Sequence, residues 1–138
     1  MMTSNRIITG IGILLLLVAP AWAYIETPTG VDVQVSYTEP TTTEGGAPLT
    51  TLQKTTIYWK LDAGAETALT MLAALGTGGA AITKTISVPL AACTAGTVSV
   101  QVTASNTFGE SVRTPAVTLA VARVQGCKPG LPTNLLVK

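Results

Sequence analysis

Apolar and polar residues alternate with period two along three stretches of the chain, residues 31–37, 98–104 and 117–121. Such alternation directs one set of side chains to a buried face and the other to water, which is typical of half-buried β-strands. Weaker versions of the pattern predict further strands at residues 55–61 and 86–90. Each of these stretches is short, and none has the longer period of an amphipathic helix.

Turn-forming residues separate the alternating stretches. Pro40, Gly45-Gly46 and Pro48 follow the first of them, and glycine-containing turns occupy residues 76–79 and 106–109. Short strands divided by turns predict an all-β fold, an antiparallel β-sandwich of about seven strands. Residues 68–75 fit either a helical turn or an irregular strand, and the pattern does not decide between them.

The first 23 residues have the three parts of a secretory signal peptide. Arg6 precedes an apolar run over residues 7–18, and Ala21-Trp22-Ala23 supplies a small-residue cleavage pattern. We therefore expect a signal-peptide helix at residues 1–23, cleavage after Ala23, and a product that is secreted, periplasmic or at the cell surface. The alternative is an uncleaved membrane anchor, which Pro20 disfavours because proline breaks a helix.

Charge and composition exclude several classes of function. The chain has eight Lys and Arg against seven Asp and Glu, so it lacks the basic field that nucleic-acid binding needs. It has no histidine, the commonest general base and metal ligand, and its carboxylates show no close pair at catalytic spacing. We therefore expect a protein that is not an enzyme, with no cofactor and no metal site.

The two cysteines, Cys93 and Cys127, test how the last strands pair. If residues 98–105 and 111–122 form a hairpin that turns at residues 108–110, facing residues have numbers that sum to about 218 to 220, as those of the cysteines do. This register predicts a structural disulfide, since the two cysteine thiols of an exported chain would be oxidised. A redox pair is disfavoured because the C-x-x-C spacing is missing, and a metal site because two further ligands are missing.

Several segments together resemble a bacterial fibronectin type III domain. Residues 33–40 are similar to that family's second strand, residues 44–52 with Ile57-Tyr58-Trp59 to the following loop and third strand, and residues 102–111 to the sixth strand and its turn. The resemblance implies an immunoglobulin-like sandwich over residues 24–127. The chain departs from the family at Tyr37, where tryptophan is usual, and in lacking the tyrosine of the tyrosine corner.

The two ends of the domain also suggest how copies assemble. Residues 24–30 are short for a first strand and its turn, whereas the tail at residues 128–138 resembles the opening strand of a fibronectin type III domain. We therefore expect the tail to complete the sheet of a neighbouring copy, which would build a head-to-tail filament. The alternative is a loose tail or linker. The candidate donor residues are Pro132, Asn134, Leu135 and Val137.

The loops that hold residues 40–49 and 106–111 are expected at the same end of the sandwich, where loops on a rigid scaffold commonly carry recognition. Phe108, at the tip of a turn, is either an exposed aromatic anchor or packed inward. The sequence thus predicts a structural or adhesive module whose partner is itself or another exported protein. The alternative is a monomer that binds a glycan or protein through these loops. The candidate binding residues are Glu44, Gly45, Asn106, Phe108 and Glu110.

Overall fold

The computed structural model describes residues 24–130, which form eight β-strands and no helix. The signal peptide predicted at residues 1–23 and the donor residues predicted at positions 132–137 lie outside the described residues. The strands are β1 (Tyr24–Thr27), β2 (Gly30–Thr38), β3 (Lys54–Leu61), β4 (Thr67–Leu72), β5 (Ala81–Pro89), β6 (Thr94–Asn106), β7 (Gly109–Glu110) and β8 (Val117–Arg123).

The strands form two antiparallel sheets, as expected of an all-β fold. One sheet has the order β1-β2-β5, and the other has the order β4-β3-β6-β7 with β8 also paired to β6. The alternating side chains of β2, β3, β5 and β6 meet between the two sheets, which is why the pattern in the sequence has period two. The buried cluster includes Val31, Val33, Val35, Ile57, Ile86, Val98, Val100 and Val102.

The stretch that the sequence left undecided is a strand. Residues Leu69 and Met71 of β4 pack against the core, whereas Thr70 and Leu72 face outward and are exposed. The alternation was hidden because Leu72, a large apolar residue, is 86% exposed. Strand β4 pairs with β3, with Leu69 opposite Ile57.

The first strand, for which residues 24–30 are short, does form, but it covers only part of its neighbour β2. Four residues form β1, and a two-residue turn at Pro28 and Thr29 joins it to β2. The strand pairs with only the first part of β2, from Thr27 opposite Gly30 to Tyr24 opposite Val33. The two-residue turn leaves room for a strand in this short segment, and residues 34–38 of β2 extend beyond the end of β1.

The predicted register of the last hairpin is also wrong. Val98 faces Leu119, so paired residues of β6 and β8 have numbers that sum to 217, whereas Ser105 faces Glu110 with a sum of 215. The two sums differ because residues 111–116 are not a strand and insert two extra residues between β7 and β8. Thr114 bridges the gap, since its Oγ1 accepts a hydrogen bond from Val102 N at 3.0 Å.

The connections meet at the two ends of the sandwich. Residues 39–53, 73–80 and 107–108 lie at one end, which we call the loop pole, because β2, β4 and β6 all end there. Residues 28–29, 62–66, 90–93 and 124–127 lie at the other end, which we call the tail pole.

Candidate interaction surfaces

Hydrogen bonds between loops fix the shape of the loop pole. Asn106 Nδ2 donates to Thr51 Oγ1 at 3.1 Å, and Asn106 Oδ1 accepts from Phe108 N at 2.8 Å. Leu52 N donates to Gly76 O at 2.8 Å, which joins the loop at residues 73–80 to the loop at residues 39–53. Sequence reasoning placed two of these loops at one end of the sandwich, and the structure joins all three there.

The five residues predicted to bind a ligand have different environments at this pole. Glu44 and Gly45 are exposed in the loop at residues 39–53, and Glu110 is exposed in β7. Asn106 is only 7% exposed, and both ends of its side-chain amide are used within the protein. Phe108 is 57% exposed at the tip of its turn, so it does not pack inward.

Exposed apolar side chains are concentrated near the loop pole. Leu72 ends β4, Leu75 lies in the loop at residues 73–80, and Val112 follows β7, with exposed fractions of 86%, 63% and 57%. Together with Phe108 they form what we call the apolar rim. Four of the six large apolar side chains that are exposed among the described residues lie in this part of the sandwich, and exposed apolar surface is a feature of interaction sites. Sequence reasoning found Phe108 but missed Leu72 and Leu75, which both lie in the undecided stretch.

Glu110 anchors a polar network on the outer face of the larger sheet. Its Oε1 accepts hydrogen bonds from Thr103 Oγ1 and from Tyr58 Oη, the latter at 2.8 Å. These bonds, with the one from Thr103 contributing most, lower the pKa of Glu110, and the bond to Glu110 raises the pKa of Tyr58. Glu110, predicted as a ligand-binding residue, is thus occupied in holding β7 against β6 and β3.

Arg113 extends this network across the sheet. Its guanidinium lies 3.9 Å from the centroid of the Tyr58 ring and makes two hydrogen bonds to the Glu66 carboxylate, at 2.6 and 2.8 Å. The hydrogen bonds from Arg113 lower the pKa of Glu66 and raise that of Arg113. Arg113 covers one face of the Tyr58 ring, so that face is not available to stack against a sugar.

A buried carboxylate lies at the start of the first loop. Glu39 directly follows β2 and is 2% exposed, and its Oε2 has no hydrogen-bond partner. Thr43, in the same loop and 3% exposed, likewise has an unpartnered Oγ1. Among the described residues no three His, Cys, Asp or Glu side chains are grouped closely enough to hold a metal ion.

The tail pole is closed by side chains and by the cysteines. Glu26 Oε2 accepts hydrogen bonds from Val124 N and Gln125 N, which joins β1 to the end of β8. Cys93 and Cys127 lie within disulfide-bonding distance, with their Cα atoms 5.3 Å apart. The cysteines meet although the predicted register was wrong, because Cys93 directly precedes β6, whose first residue faces Arg123 at the end of β8, and the chain turns back just after β8.

A shallow groove of about 290 Å³ lies on one side of the sandwich near the tail pole. Trp59 and Leu61 of β3 and Val88 and Pro89 of β5 line it, because β4 begins only opposite Trp59 and leaves the end of β3 uncovered. Its volume is at the lower limit for small-ligand pockets. In residues 24–130, no helix has the length and apolar character needed to cross a membrane.

The chain matches no protein-family profile, no curated protein and no solved structure. Its functional interpretation therefore depends on the residues and on the geometry described above.

Proposed function

We propose that the chain is an exported, non-catalytic module of the fibronectin type III kind, which serves a structural or adhesive role and assembles head to tail through its C-terminal segment. The fold class is supported by the two antiparallel sheets, an architecture that fibronectin type III and immunoglobulin domains share. Export is supported by the leader-like residues 1–23 and by the cysteine pair, since disulfides persist in oxidising compartments.

One observation carries the head-to-tail arrangement. Strand β8 ends at the tail pole, where Cys127 is held to Cys93, so the chain at Lys128 leaves from the end opposite the loop pole. If a second copy is stacked end to end in the same orientation, the segment that leaves the tail pole of the first copy meets the loop pole of the second. Such a contact is heterologous, and repetition of a heterologous contact that does not close produces a filament.

The test is the solution mass of the full chain, produced with its own leader and purified after export, by light scattering under non-reducing conditions. Intact mass first establishes whether the product begins at Tyr24. We expect a series of oligomers that is lost when residues 129–138 are deleted. A single species of monomer mass at all concentrations would contradict the assembly proposal, as would oligomers that persist after the deletion.

A second candidate function is supported by the apolar rim at the loop pole. A monomeric accessory domain that binds a protein or glycan would use Phe108 as its anchor, because exposed aromatic residues dominate binding energy at interfaces. Phe108→Ala should then abolish binding to a partner surface. Val124→Ala, which removes a comparably exposed apolar side chain near the tail pole, is the matched control and should bind normally. Equal binding by both variants would remove Phe108 as a site.

A further inference from the structure

Part of the edge of β2 has no strand beside it among residues 24–130. Strand β1 covers β2 only from Gly30 to Val33, whereas β5 pairs with the whole of β2 on its other side. Residues 34–38 therefore present an open sheet edge next to the loop pole. We call these five residues the open strip.

The direction of the backbone groups follows from the hairpin. Thr27 and Gly30 close the turn and face each other across the β1 side of β2. Backbone groups alternate in direction along a strand, so Gln34, Ser36 and Thr38 direct their N–H and C=O groups toward the β1 side, and Val35 and Tyr37 direct theirs toward β5. The open strip therefore offers three donors and three acceptors to an added strand.

We infer that the open strip binds residues 132–137 of a second copy of this chain, added to the sheet as a strand in line with β1. This inference rests on the proposed assembly and names its binding site. Strand addition to an open edge is an established recognition mode, in which main-chain hydrogen bonds supply the affinity. Six residues of the donor segment match the five residues of the strip in length.

Strand direction agrees with a donor from another copy. A segment that arrives over the loop pole from a stacked copy runs toward the tail pole, antiparallel to β2 and in the same direction as β1. The chain's own tail leaves from the tail pole and would run parallel to β2. It would also meet β1, which already occupies the edge from Gly30 to Val33. The geometry thus favours donation between copies over donation within one.

The chemistry of the strip also distinguishes it from the outer edge of β5. Edge strands are commonly protected from pairing by lysine and proline, and β5 carries Lys84 and ends at Pro89. The open strip contains no charged residue and no proline. Its inward side chains Val35 and Tyr37 are 0% and 3% exposed, so an added strand contributes backbone hydrogen bonds without filling a gap in the core.

Amide hydrogen exchange of the exported full chain tests the site, because the alternation predicts which amides change. In the variant lacking residues 129–138, the amides of Gln34, Ser36 and Thr38 should exchange fast, whereas those of Val35 and Tyr37 are already bonded to β5 and should exchange slowly. In the assembled full chain the first three should slow by about tenfold or more, which is the effect of roughly one hydrogen bond.

Paired charge variants locate the contact independently. Gln34→Lys with Thr38→Lys places two charges on the open strip, and Ala81→Lys with Thr85→Lys places them on the residues directly opposite in β5. We expect the first pair to reduce assembly at least about tenfold and the second pair to leave it unchanged.

The outcomes separate this inference from the proposed function. Assembly without protection of Gln34, Ser36 and Thr38, or an equal effect of the two lysine pairs, overturns the binding site and leaves head-to-tail assembly standing. A different outcome is an exported monomer that keeps residues before Tyr24 and still shows slow exchange at these three amides. That result assigns the open strip to the chain's own N-terminal segment and also overturns the inference. A chain that never assembles overturns both proposals.

Discussion

Tyr37 links the two sheets of the sandwich through a single hydrogen bond. Its ring lies in the core, and its hydroxyl makes a 2.6 Å hydrogen bond to Thr55 Oγ1 of β3, so one bond links the two sheets. Burial raises the pKa of Tyr37, which keeps the hydroxyl protonated and able to donate. The tyrosine thus fills its place in the core with its ring, and Thr55 satisfies its polar end.

Tyr37→Phe should lower the free energy of unfolding by about 1 to 3 kcal/mol, because it leaves the buried Thr55 hydroxyl without its partner. Adding Thr55→Val to Tyr37→Phe should recover part of this loss, since both polar groups are then gone. Urea unfolding of the two single variants and the double variant measures the coupling between them. Strict additivity of the two single effects would contradict the bond.

Glu110 gives the molecule a pH-dependent contribution to stability. Its pKa is lowered in the folded state, so it stabilises the fold above the pKa of the unfolded chain, about 4.3, and this contribution is lost as pH falls through the folded pKa. Glu110→Gln should cost under about 1 kcal/mol at pH 7, because exposed groups are screened by solvent. The difference from wild type should shrink between pH 5 and 3.

Thermal unfolding across this pH range measures the effect. Glu44→Gln is the matched control, since Glu44 is also an exposed carboxylate but lies in the loop at residues 39–53, away from the Tyr58 network. A stability difference between Glu110→Gln and wild type that stays constant from pH 7 to pH 3 would argue against the role of the charged carboxylate.

At the level of elements, the β1–β2 hairpin depends on one glycine. A Cβ atom at Gly30 would lie 2.1 Å from Val88 O and 2.9 Å from Leu90 N, and both are backbone atoms that cannot move aside without disturbing β5. Gly30→Ala should therefore lower the free energy of unfolding by at least about 3 kcal/mol. Gly45→Ala, where no atom lies within 4 Å, should be close to neutral. Comparable losses in the two variants would contradict this account.

The alternation of side chains was sufficient to predict β2, β3, β6 and β8, because each buries one face. It missed β1, since four residues are too few to display a period, and it left β4 undecided because Leu72 is exposed. The register error arose at the turn, which lies at residues 107–108 and not at 108–110. Two extra residues within 111–116 then shift the register again, and hydroxyl groups such as that of Thr114 replace backbone partners there. Hydrogen bonds of this kind leave no period in the sequence.

The sequence predicted fewer residues of the interaction surfaces than of the strands. Phe108 was found because a turn carried the chain's one phenylalanine. The Tyr58–Glu110 contact was not found, since the two residues are 52 positions apart and meet only through the pairing of β3, β6 and β7. The sequence indicated a short first strand, but it did not locate the open strip, because the strip is defined by where β1 stops and not by its own composition.

At the scale of the whole molecule, the cysteine pair, together with Glu26 and β8, holds the start of the tail at the tail pole. Cys127 is held beside Cys93 at the tail pole, and three residues later the described chain ends at Gly130. The cross-link closes a segment of 34 residues that contains β6, β7 and β8. In the unfolded state the cross-link therefore restricts the conformations of the segment that forms most of the larger sheet. In the folded state it keeps the start of the tail at the end of the sandwich opposite the apolar rim.

Replacing both cysteines, Cys93→Ser with Cys127→Ser, should lower the free energy of unfolding by about 3 to 4 kcal/mol, the loop-entropy value for a closed segment of this length. Reductant should lower the melting temperature of the wild type toward that of the double variant and leave the double variant unchanged, which separates loss of the cross-link from effects of serine. Because Glu26 and β8 still direct the chain to the tail pole, the folded double variant should assemble as the wild type does. A wild type that reductant does not destabilise would show that the cysteines are not cross-linked in the purified protein, and the start of the tail would then be positioned by β8 and Glu26.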